Sequence, residues 1–252
     1  MIGPALAAAL AMAGLPGPFL VPDERMEFGI SYLGMRVGVA IISVGRPEGL
    51  LVPVKLDARS TGLADGLFFI REKLVTHVDS STGLPSASTI EAVEGRHRHT
   101  ETTRFDRGAG RAVVRRKGKT DKTNEVEVAP GTLDFVAMVF RLRGLPLEVG
   151  TRYEFDVLVG TRPSKVIAEV TGRETVRTGE GKIAAVKVQV PTGLTGKFSE
   201  KDPTYIWFSD DDRRIVVRMS ADFAVGRAVV NLTEYRSGGT RSRADGGHVP
   251  RD

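Results

Sequence analysis

Apolar and polar residues alternate at a period of two along almost the whole chain, and this confines the fold to strands. Phe28, Ile30 and Tyr32 alternate with Glu27, Gly29 and Ser31, while Val52, Val54, Leu56 and Ala58 alternate with Pro53, Lys55, Asp57 and Arg59. Leu33-Gly34-Met35-Arg36 turns the first strand into Val37–Val44 as a hairpin. Further strands are predicted at Arg71–Val78, Ala87–Val93, His97–Phe105, Arg111–Arg116 and Glu125–Val128. After the midpoint come Tyr153–Val159, Lys165–Val170, Ile183–Val190, Thr204–Phe208, Arg214–Met219 and Ala224–Tyr235. The 30 Val and 20 Thr suit a pleated surface, and 29 Gly with 13 Pro supply the turns. Short strands so spaced predict a mainly β fold, a single antiparallel β-sandwich or incomplete barrel.

One segment departs from this period. Pro130-Gly131 leads into Thr132–Arg143, which Gly144 and Pro146 end, and the spacing predicts a helix over 132–143 with Thr132 as N-cap. Leu133, Val136, Ala137 and Phe140 fall on one side, and Phe135, Met138, Val139 and Leu142 cover most of the other. A helix apolar nearly all round is buried. It belongs inside the curve of a sheet, plugging a barrel end, or in the core between two sheets. A second, shorter helix or turn is predicted at Leu63–Phe69.

The ends of the chain differ from this middle. Residues 1–22 carry no charge, and the apolar run Ala5–Ala13 closes on Ala11-Met12-Ala13, a small-x-small cleavage pattern. Residues 1–13 therefore read as a signal peptide, although no Lys or Arg precedes the apolar core. Pro4, Pro16, Pro18 and Pro22 interrupt the run too often for a membrane span of about twenty residues. A periplasmic location follows as an expectation. Residues 14–235 form one β domain, and 236–252, with no apolar side chain larger than Ala over Arg236–Gly247, read as a disordered tail.

Chemistry-bearing motifs are sparse. The absence of Cys removes disulfides, thiolate metal sites and cysteine nucleophiles together. No nucleophile elbow, P-loop, dinucleotide fingerprint or zinc-protease helix occurs, so the expectation is a protein that is not an enzyme and uses no cofactor. His97, His99 and Glu101 would share one strand face, a possible divalent-metal set, but a solvated strand beside the Gly95 turn explains them better and no metal is expected. Ser209-Asp210-Asp211-Asp212 lacks the alternating ligands of a calcium loop and reads as a charged turn.

Two binding readings remain. The helix residues Phe135, Met138, Val139 and Phe140, with Trp207, are candidate contacts for an apolar or lipid-like ligand inside a curved sheet. Between Arg96 and Lys122 ten basic side chains face three acidic ones, while the whole chain carries only +5. There Arg111, Arg115, Arg116, Lys117 and Lys119 are candidates for docking on an anionic partner such as lipopolysaccharide, phospholipid headgroups, an acidic glycan or an envelope protein. No stacking aromatics interleave them, which argues against nucleic acid.

Several stretches taken together resemble a known family. They are Tyr32–Gly38, Gly62-Leu63 with Leu67–Arg71, Val78-Asp79 with Pro85, Asp134–Arg143, Gly172-Arg173-Glu174 and Trp207–Arg214. In order and spacing, from about Glu24 to Tyr235, the chain is similar to the bacterial domain-of-unknown-function family three-one-zero-eight. Val216 departs from it, standing where the family usually has Pro. The resemblance implies an exported, mainly β protein of Gram-negative bacteria and carries over no catalytic residue. In layout it is also loosely similar to periplasmic lipoprotein carriers, whose curved sheet and helix enclose an apolar cavity.

Overall fold

The computed structural model describes residues 19–62, 65–66, 69–191, 203–222 and 226–238. The signal-peptide segment lies outside them, as does all of the tail beyond 238. Arg236, assigned to the tail from sequence, is the last strand residue and pairs with Arg25.

Fourteen strands form the fold. They are β1 (Arg25–Tyr32), β2 (Met35–Val44), β3 (Leu51–Ser60), β4 (Ile70–Asp79), β5 (Pro85–Glu94), β6 (His97–Asp106), β7 (Arg111–Lys117) and β8 (Lys122–Glu127). After one helix, α1 (Phe135–Arg143), come β9 (Arg152–Val159), β10 (Arg162–Thr178), β11 (Gly181–Val190), β12 (Thr204–Ser209), β13 (Val216–Asp222) and β14 (Arg227–Arg236). All pair antiparallel in one sheet of order β8-β7-β6-β5-β4-β3-β2-β1-β14-β13-β12-β11-β10-β9. Of the two expected architectures this is the incomplete barrel, a single curved sheet that does not close. The β1–β14 pairing brings the two ends of the meander together at its centre.

The helix is capped two residues later than the sequence pattern places it, at Asp134. Leu133 is drawn to the β9 edge, where its N–H donates to the Asp156 carbonyl at 2.8 Å and its carbonyl accepts from Leu158 N–H at 2.8 Å. Asp134 is therefore the N-cap in place of Thr132, its carboxylate accepting from Ala137 N–H at 2.8 Å. The same contact covers the otherwise bare edge of β9, a strand edge that would invite aggregation. Of the expected Leu63–Phe69 helix or turn, Asp65 and Gly66 are helical, and 63–64 and 67–68 lie outside the described residues.

The core joins the helix to the inward face of the sheet. Ala137, Met138, Phe140 and Leu142 are at most 1% exposed and pack with Met26, Phe28, Val54, Val78, Ile206, Phe208 and Leu232. A smaller cluster of Ala112, Val114 and Leu158 joins the β7 flank to β9. β10 is longer than its apolar pattern suggests. Val166, Ala168 and Val170 alternate inward, then a register shift between Val170 and Gly172 changes the phase before Val176 is buried.

Candidate functional site

At one end of the curved sheet the interior is sealed by buried polar groups. Arg143, the last residue of α1, and Glu24, just before β1, are both fully buried. Two guanidinium nitrogens donate to the Glu24 carboxylate at 2.7 and 2.8 Å, an arrangement that fixes both position and orientation. Arg143 also donates to the carbonyls of Arg214 and Arg213 at 2.8 and 3.1 Å, and Tyr235 hydroxyl donates to Glu24 at 3.2 Å. The rings of Phe19 and Phe140 lie 4.9 and 5.0 Å from the guanidinium carbon. At the other end of the helix Arg107 donates to the carbonyls of Pro130, Pro85 and Thr132. No buried side-chain polar atom lacks a partner among the described residues.

Asp134 also belongs to this end, accepting from Thr76 hydroxyl at 3.0 Å. Burial pushes its carboxyl above the usual carboxylate range, against the Ala137 N–H and Thr76 hydroxyl, which pull it down. A carboxyl that holds its proton better when folded stabilises most below its unfolded pKa, near about 4. That contribution is lost as pH rises through the folded value. Asp134→Asn keeps an acceptor for Ala137 and has no proton to lose. Asp79, Asp211 and Asp222 are shifted the other way and contribute equally to both proteins, so urea unfolding at a series of pH values should show wild-type stability declining relative to Asp134→Asn above about pH 4. Parallel declines in both proteins would place the titration on another group.

Away from the sealed end, the register places a strip of half-buried aliphatic side chains on the inward face. One inward row runs Val44–Val54–Thr76–Ser88 across β2 to β5, and all four are buried. The next row is Ile42–Leu56–Leu74–Ile90, four aliphatic side chains on the inward face that are only partly buried. The row after it is Ala40–Ala58–Glu72–Ala92, in which Ala40 and Ala92 are buried and Ala58 and Glu72 partly so. Ile30, Met219 and Val230 on β1, β13 and β14 are likewise inward and partly buried. The result is an inward-facing strip of half-buried aliphatic side chains, about 15 Å across four strands, with Glu72, Glu94 and His99 further towards the same end of the sheet.

This geometry redistributes the candidate ligand residues. Met138, Val139 and Phe140 are filled-in core, at most 5% exposed, and Phe135 is partly buried. Trp207 does not join them. It alternates with inward Ile206 and Phe208, so it lies on the opposite face of β12, where its indole N–H donates to Glu174. Lys187 sits 4.1 Å from the Tyr205 ring and 5.2 Å from the Trp207 ring, with Arg218 5.7 Å from the latter. The accessible apolar side chains come instead from the strands. In sequence these show only as alternation, because whether an inward residue is covered depends on where the helix lies.

The basic candidates are also split by the pleat. Arg111, Arg115 and Lys117 point outward, Arg116 points to the inward side opposite Glu101, and Lys119 is in the β7–β8 turn. Arg111 is already paired with Glu125 at 3.0 Å and lies near Asp106 at 3.9 Å. Two hollows of about 340 and 410 Å³ lie along β5–β7, the first lined by Thr100, Thr102, Arg104, Arg115 and Lys117 and the second by Glu91, Arg98 and His99. His97, His99 and Glu101 share a face of β6, and no group of three potential metal ligands forms among the described residues.

The family model described as protein of unknown function (DUF3108) matches residues 27–233. The chain belongs to the DUF3108 family. No curated protein matches it. A β-barrel-like protein of the DUF1849 family from Brucella abortus superposes with a TM-score of 0.62 at 11% identity, covering 86% of this chain and 98% of its own. That likeness extends to the fold. A candidate lipoprotein from Parabacteroides distasonis (TM-score 0.35, 11% identity, 87% and 99% coverage) is a more distant match. So is a candidate exported protein with a YmcC-like fold from Bacteroides fragilis (TM-score 0.34, 10% identity, 88% and 100% coverage). Among the described residues no helix of this DUF3108 member is long and apolar enough to cross a membrane.

Proposed function

We propose that this DUF3108 protein is exported and binds an apolar, acyl-chain-like ligand in the recess of its curved sheet. One observation carries the reading: the inward row Ile42–Leu56–Leu74–Ile90 is partly exposed, although an equivalent row one step away is sealed. Each methylene that a ligand buries there contributes about 0.8 kcal/mol, so on the order of ten suffice for micromolar affinity. The uncharged apolar run at residues 5–13 supports export.

The test is titration with a fluorescent acyl probe, dansylaminoundecanoic acid. Leu56→Glu and Leu74→Glu each place a carboxylate in the recess and should weaken probe binding at least about tenfold, the effect of about 1.4 kcal/mol. Lys55→Ser and Lys73→Ser, on the same strands but facing out, should leave it unchanged. Probe binding that is absent in wild type, or equal in all variants at matched thermal midpoints, would remove the ligand reading. The protein would then be an envelope scaffold acting through its basic strands.

A further inference from the structure

The mouth of the recess is built differently from the sealed end. The turns 33–34, 95–96 and 118–121 and the starts of β4, β6 and β8 lie at this end of the sheet. Three of the six large apolar side chains that stand exposed among the described residues gather here: Leu33 at 57%, Met35 at 65% and Ile70 at 45%. Leu33 is also held at φ +51, with Gly34 at φ +79, in a two-residue turn that requires positive φ at both positions. Asn or Gly would occupy Leu33's conformation with less strain. An exposed leucine in a strained turn is a costly choice for a sheet that only has to fold.

Charge follows the same end. Arg36, Arg59, Arg96, Arg98 and Lys119 are exposed around the mouth, and none forms an ion pair among the described residues. Arg116, Lys117 and Lys122 stand at the tip of the β7–β8 hairpin beside them. Asp65, Glu72, Glu94, Asp121 and Asp222 are acidic groups at the same end, Asp222 being paired with Arg227 at 2.7 Å. By contrast Arg111, at the other end of β7, is paired with Glu125. The basic hairpin seen in sequence is thus basic chiefly where it reaches the mouth.

We infer that the protein docks mouth-first on an anionic lipid membrane, with Leu33, Met35 and Ile70 entering the headgroup boundary while the surrounding arginines and lysines meet lipid phosphates. Aliphatic tips within a cationic collar match the layered chemistry of an anionic leaflet, where each basic side chain near the surface adds attraction. The inference deepens the ligand reading, on which it rests for its purpose: docking in this orientation would set the recess against the source of acyl chains.

Co-sedimentation of the full chain with phosphatidylcholine vesicles, with and without phosphatidylglycerol, tests it. Wild-type protein should bind the anionic vesicles, bind neutral ones far less, and be released by high salt. Arg96→Ser/Arg98→Ser/Lys119→Ser should weaken anionic-vesicle binding roughly a hundredfold. Leu33→Ser/Met35→Ser should weaken it roughly tenfold and leave the salt dependence in place. Both variants should still take up the acyl probe in solution, whereas Leu56→Glu should lose the probe and keep the vesicles. This separation tells a failure of docking from a failure of the recess. Absence of wild-type binding to anionic vesicles, or equal binding by wild type and both rim variants, overturns the inference.

Discussion

Phe140→Ala is expected to lower the unfolding free energy by about 3–5 kcal/mol, the range for truncating a buried Phe. Its side chain is 1% exposed, packs within the main core, and stacks against the Arg143 guanidinium at 5.0 Å. The cavity left behind would be enclosed, because Phe140 is shielded from solvent within the main core. Urea unfolding followed by tryptophan fluorescence measures the loss, which corresponds to roughly 6–20 °C in Tm for a chain of this size. A loss below about 0.5 kcal/mol, typical of exposed positions, would mean that the helix lies on the surface, and the sealed end would go with it.

The second large effect concerns Glu24 and Arg143. Removing one partner of a buried ion pair leaves an uncompensated charge and costs about 3–5 kcal/mol. Glu24→Ala and Arg143→Met should each fall in that range. Arg143→Met should be the worse of the two because it also strips the carbonyls of Arg213 and Arg214 of their donors. Glu24→Met combined with Arg143→Met removes both charges, so its loss should be smaller than the sum of the single losses by at least about 1 kcal/mol. Strict additivity in this cycle would show that the two groups do not depend on each other when folded.

Much of this fold is written in local pattern. Period-two alternation places all fourteen strands, and the break at Pro130-Gly131 places the helix, because both signals need only neighbouring residues. Contacts set by distant parts of the chain leave no such trace. Glu24 and Arg143 are 119 residues apart, so in sequence Arg143 reads only as a favourable charge at a helix C-terminus. Asp134 replaces Thr132 as the cap because Leu133 is claimed by β9, a competitor invisible from within the segment. The phase change at Gly172 hides the second half of β10.

The candidate site was legible to a lesser degree, for a related reason. Apolar bulk correctly marks Met138 and Phe140 as interior, but the best-buried residues are those with no room beside them for a ligand. Trp207 is drawn to the other face by a parity that only the pairing with Lys187 and Arg218 makes visible. Leu56 and Leu74 look like every other strand residue until the sheet is curved and one end of it plugged.

Methyl NMR of protein labelled at Ile and Leu decides whether an acyl chain enters the recess. Titration with dodecanoate should shift Ile42, Leu56, Leu74 and Ile90 and leave the sealed Leu142, Leu147 and Ile215 and the outward Ile41 and Ile167 unmoved. No shifts at all, or shifts confined to the outward residues, would contradict the ligand reading.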